Sequence, residues 1–198
     1  MNKTLVLAMV VGFGGMATAD GKDAKAPAPK APDTAKTPAP KAMEMPKAPK
    51  EVADMVKGME GTWKCTGKGY MPDGSTVDMT GTVKSKSDLA GFWAHDSMVG
   101  KMGKMDYAFE SYTTFDAAAK KWHRVMVDNM GGMAMGNSDG MKDMKMDFAM
   151  DAMGPMGAMM VKDHVDMSDA KNGAKFFGER SMDKGKTWSK DYEVVCKK

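Results

Sequence analysis

From Trp63 to the end of the chain, apolar residues recur at every second position in short runs divided by turn residues, the rhythm of half-buried strands. Before it lies a different period. Val52, Met55, Val56 and Met59 stand at i, i+3, i+4 and i+7, with Gly58 and Gly61 as terminators, and predict one short amphipathic helix over 51–61. Trp63, Cys65 and Gly67 then alternate with Lys64 and Thr66 before a turn at Met71-Pro72-Asp73-Gly74. Val77, Met79, Gly81 and Val83 share the next face, followed by a β-rich run over 89–99. Met105, Tyr107, Phe109, Ser111, Thr113 and Phe115 share another, and the pattern resumes over 122–130. Met144, Met146, Phe148 and Met150 alternate with polar residues, Met159, Val161, Val165 and Met167 share a face with Asp163, and 174–182 and 187–196 make the last pair. About nine or ten strands joined by tight turns leave no room for crossover helices. An all-β, antiparallel up-and-down barrel is predicted, because closure removes the edges that an open sheet would expose.

The first 50 residues are of another kind. Met1 to Ala19 has an early Lys3, an apolar stretch through Leu5, Leu7 and Val11, and a small-x-small ending at Ala17-Thr18-Ala19, which reads as a signal peptide cleaved after Ala19. The stretch is shorter than the ~20 residues of a membrane span, so a periplasmic or secreted protein without a transmembrane segment is expected. Residues 20–50 hold 7 of the 9 prolines among Ala and Lys and read as a disordered, extended linker, with contact to an anionic envelope surface as its alternative role. The net charge of +3 is concentrated in that linker, and 51–198 carries 21 basic against 22 acidic side chains, so nucleic acid is not an expected partner. Residues 51–198 are the size of one domain. Cys65 and Cys196 lie near its two ends. In an exported chain a disulfide is expected, two buried thiols being the alternative, and a barrel whose first and last strands pair would bring them together.

Gly61-Thr62-Trp63 behind a short helix resembles the Gly-x-Trp opening of calycins, in which this Trp would plug the closed end of the barrel. Tyr112 to Gly132, with its Phe115-Asp116 turn, Trp122 and the strand end at Asp128 to Gly131, together with Asp183 to Trp188, resembles the bacterial domain-of-unknown-function 1579 family, a lipocalin-like group. The likeness covers 51–198 and implies a fold rather than a chemistry. The related nitrobindins ligate haem iron with one His from a late strand. His164 is the comparable residue, but alternation sets it with Lys162 and Asp166 opposite Val161 and Val165, so haem is not expected. His95 and His123 are single imidazoles without partners at metal spacing.

Methionine is the compositional oddity: 26 residues, against no Ile and one Leu beyond Ala19. As flexible core filler it would replace Leu and Ile. As a thioether it suits Cu(I) or Ag(I), and 130–160 holds 11 Met, of which Met130, Met133, Met135, Met153 and Met156 are the candidate ligands. A third role is reversible oxidation. Asp163-x-x-Asp166-x-x-Asp169 lacks calcium-loop spacing, and no GxSxG, HExxH, Walker loop or paired acid site is present, so no catalytic residue and no enzyme activity are predicted. The expected function is a non-enzymatic binding module for a small apolar ligand, with Trp93, Tyr107, Trp122, Met126, Met146 and Phe148 pointing inward as its lining. The same six positions would equally make a plain packed core. The alternative function is a periplasmic Met-rich Cu(I)/Ag(I)-binding protein, and no other cofactor is predicted.

Overall fold

A computed structural model describes residues 45–169 and 171–198; the predicted leader and residues 20–44 of the linker lie outside them. Helix α1 (Lys50–Met59) is followed by strands β1 (Gly61–Tyr70), β2 (Thr76–Asp88), β3 (Trp93–Met102), β4 (Met105–Asp116) and β5 (Lys121–Asp128). The second half holds β6 (Met133–Ser138), β7 (Lys145–Gly154), β8 (Gly157–Asp166), β9 (Ala174–Ser181) and β10 (Ser189–Lys197). Each strand pairs antiparallel with its neighbours in sequence, and β10 returns to pair with β1, so the ten strands form the closed barrel that the two-residue rhythm predicts. Among the described residues no helix is long and apolar enough to cross a membrane.

The closing seam is covalent. Cys65 stands directly opposite Cys196 in the β1–β10 register, and the two form a disulfide across 131 residues of chain. Curvature elsewhere depends on glycine. A Cβ at Gly100 would lie 2.0 Å from the Thr80 carbonyl oxygen, and one at Gly136 2.0 Å from that of Ala149, so only glycine lets these strands bend so tightly against their neighbours. One end of the barrel is plugged by α1. Its Val52 and Val56 are buried in a cluster with Ala94, Trp122, Met146, Phe148 and Val165. Trp63 indole N–H donates to the Met59 carbonyl at 2.7 Å, tying the last turn of the helix to the start of β1.

Some sequence expectations change. The run over 89–99 is not one strand: Leu89–Gly91 is a 3₁₀ turn in which all three residues have positive φ. The turn resets the alternation, so Ala94 is buried and Trp93 lies on the outer side, edge-on to Tyr112 with ring centroids 6.3 Å apart. β6 is a strand where the sequence shows only methionine spacing and glycine. Its inward positions are Ala134, Gly136 and Ser138, too small to register as an apolar stripe, while Met133 and Met135 point outward. Met144 does not share the buried face of Met146, Phe148 and Met150; it has φ 62° in the preceding turn and is half exposed. Met105, read as facing the core, is likewise exposed.

Candidate functional site

Alternation carries Arg124 of β5 inward between Trp122 and Met126, and Asp163 of β8 inward between Val161 and Val165. A buried charge must be paired or its desolvation goes uncompensated. Arg124 Nη1 donates to Asp163 Oδ2 at 2.5 Å, its Nε donates to Thr113 Oγ1 at 3.1 Å, and its guanidinium lies 3.8 Å from the Phe148 ring centroid. Tyr192 Oη donates to the other Asp163 oxygen, so that one carboxylate joins β5, β8 and β10 through the interior. A second pair, Arg180 Nη1 to Asp191 Oδ1 at 2.5 Å, lies nearer the end away from α1. There a register shift between Lys190 and Tyr192 turns Asp191 toward Arg180.

Burial sets the acidity of these groups. It pushes the Tyr192 phenol well above its ordinary value, with the Asp163 carboxylate adding to the effect. Tyr107 is raised for the same reason, with Asp128, Asp191 and Asp163 contributing. Burial also raises the Asp191 carboxyl, against the pull of Arg180. Both phenols bind their protons more tightly in the folded chain than in the unfolded one. The stability they contribute is therefore complete below the ordinary phenol value of 10.0 and falls as pH rises above it. Unfolding midpoints in urea are expected to decline from pH 10 upward, and Tyr192→Phe should flatten that decline.

Side chains thus occupy the barrel axis, and a concavity lies at the mouth opposite α1. A cleft of about 690 Å³ is lined by Tyr70, Met71, Pro72 and Gly74 from the end of β1 and its turn, Met156 from the β7–β8 turn, Arg180 and Met182 from β9 and its exit, and Ser189 and Lys190 from β10. The turns that wall it are built locally. Asp73 accepts hydrogen bonds from the Ser75 N–H and hydroxyl, and Gly74 supplies the φ of +83° the turn requires. Asp183 accepts from the Thr187 N–H and hydroxyl, the Ser181 hydroxyl and the Lys186 N–H, which hold its carboxyl down to about 2. Arg180 is buried beneath this rim, and Lys190 Nζ stands 5.3 Å from the Tyr70 ring centroid. A shallower concavity of about 480 Å³ opens on the wall where β6 and β7 part, between Lys121, Asn137, Asp147, Phe148, Lys162 and His164.

Of the six residues read as inward, Tyr107, Trp122, Met126, Met146 and Phe148 face the interior and Trp93 does not. None of the six lines the mouth cleft, and Phe148 borders the smaller opening. His164 points outward, as alternation requires. It stacks on Phe177 with centroids 4.5 Å apart, and its Nδ1 is 2.6 Å from Asp147 Oδ1. His95 repeats the arrangement, stacked on Tyr112 with Nε2 2.5 Å from Glu110 Oε2. Among the described residues no group of three or more His, Cys, Asp or Glu is placed to hold a metal ion. Of the five methionines read as soft-metal ligands, Met133, Met135 and Met153 share the outer wall of β6 and β7, while Met130 and Met156 lie on turns. The lining that sequence reasoning missed, Tyr70, Met71, Met156, Arg180 and Met182, comes mostly from turns. Only Arg180, a charge on the Phe176–Gly178 face of β9, carries a periodic signal.

Comparison with curated proteins returns no match. The crystal structure of Rv2717c from M. tuberculosis is similar in fold, with a TM-score of 0.56 at 10% sequence identity, over 77% of this chain and 99% of that one. The family model described as "Protein of unknown function (DUF1579)" matches residues 48–198, the whole of the helix-capped barrel and its disulfide seam. The chain belongs to the DUF1579 family.

Proposed function

We propose that this barrel is an exported, non-enzymatic binding module whose small apolar ligand sits in the mouth cleft rather than along the barrel axis. The observation that supports it is the cleft itself. Apolar walls from Tyr70, Met71, Pro72, Met156 and Met182 stand beside the buried Arg180, which is paired with Asp191, and the polar Ser189 and Lys190. Small-molecule sites typically combine a mostly apolar concavity with a few fixed polar groups, and barrel mouths are a frequent place for them. The axis offers less room, since Phe148, Arg124, Asp163 and Tyr192 meet within it. A disulfide at the seam fits work outside the cytoplasm, where such bonds persist.

The test is titration with the neutral fluorescent probe N-phenyl-1-naphthylamine. Saturable binding is expected, weakened about five- to tenfold by Met156→Ser with Met182→Ser, because both side chains are about half exposed in the free protein and lose the apolar surface that a bound probe would cover. Absence of saturable binding, or affinity unchanged in the double variant, contradicts the reading.

A further inference from the structure

We propose that the outer wall of β6 and β7 carries a second, separate site, for a monovalent soft cation of the Cu(I) class, built from the thioethers of Met133, Met135 and Met153. The barrel register creates it. Met133 stands directly opposite Met153, and Met135 directly opposite Asp151. All four positions face outward, so they form a two-by-two block of three thioethers and one carboxylate. Opposed residues on antiparallel strands lie ~4.5–5.5 Å apart at Cα, and successive outward positions about 7 Å apart, within reach of side chains with three rotatable bonds each.

These methionines are not core filler. Met133 is 40% exposed, Met135 54% and Met153 57%, while the inward positions beside them are occupied by Ala134, Gly136 and Ala152. The surroundings also suit a cation. The block is flanked in register by Val125 and Val127 on β5 and by Ala158 and Met160 on β8, with no Lys or Arg among them. Asp151 supplies one negative charge to offset the bound ion. Three neutral sulfur donors select a soft monovalent ion over Ca²⁺ or Mg²⁺, which require oxygen ligands. Met130 sits on the turn that enters β6, half exposed at the same end of the barrel. None of Met133, Met135 and Met153 lines the mouth cleft, so the two sites stand or fall separately.

The experiment is an anaerobic titration of the disulfide-intact protein with Cu(I) against the chromophoric competitor bicinchoninate. One ion per chain is expected. Met133→Leu/Met135→Leu/Met153→Leu should lower the affinity by about 100-fold or more, and Asp151→Asn by a smaller factor of about three to ten. Met105→Leu/Met141→Leu/Met144→Leu, exposed methionines on other parts of the surface, should leave it within about threefold. A second readout needs no variant: in protein labelled at the methionine methyls, Ag(I) should shift the resonances of Met133, Met135 and Met153 first. Retention of all the metal by the competitor, equal losses in the two triple variants, or first shifts at other methionines would overturn the proposal.

Discussion

Asp163→Ala is expected to lower the free energy of unfolding by about 3–5 kcal/mol, the largest effect expected of a single substitution in the barrel interior. The carboxylate accepts from Arg124 on one oxygen and from Tyr192 on the other, in the middle of the barrel. Removing it leaves a guanidinium buried without a counter-charge and a phenol without an acceptor, and that uncompensated desolvation is the cost. The double variant Arg124→Met/Asp163→Leu should recover most of the loss, because an apolar pair of similar volume removes the charge together with its partner. Urea denaturation of the three proteins checks both statements. A loss under about 1 kcal/mol for Asp163→Ala would mean that Arg124 finds solvent, and that the interior is wetter than its packing implies.

Loss of the seam disulfide ranks second. Cys65→Ser/Cys196→Ser is expected to cost about 2–5 kcal/mol, acting mainly through the unfolded chain, in which 131 residues are no longer tied into a loop. The fold itself should persist. β1 and β10 remain paired from Lys64–Lys197 to Gly69–Tyr192, and each is also paired on its other side. Circular dichroism should therefore show native strand content with a lowered thermal midpoint, and reduction of the parent protein should reproduce the shift. An unchanged midpoint would mean that the unfolded ends stay together without the bond.

The sequence discloses more of the barrel than of the site, for physical reasons. A strand buried on one face has a period of two, and where its inward residues are large, as in Met146-x-Phe148-x-Met150, the period is visible. β6 fills the same geometric role with Ala134, Gly136 and Ser138, which carry no hydrophobic contrast, and its methionines are on the wrong face for a core. The resetting of β3 rests on three successive positive φ values at Leu89, Ala90 and Gly91, which only the last residue type announces. The interior ion pairs were in principle readable. Arg124, Asp163 and Arg180 each occupy an apolar face of an alternating strand, and the two opposite charges on β5 and β8 point to a pair inside the barrel. Asp191 gives no such signal, because the register shift that turns it inward leaves no mark on the local pattern. The mouth cleft is assembled from turn residues, to which periodicity does not apply.

Whether this barrel takes its ligand at the mouth is decided by backbone amide NMR during titration with N-phenyl-1-naphthylamine. The largest shifts are expected at Tyr70, Met71, Met156, Met182 and Lys190, with Met146 and Phe148 near the helix-capped end little changed. Shifts centred on Met146, Phe148 and Trp122, or none at saturating probe, would contradict it.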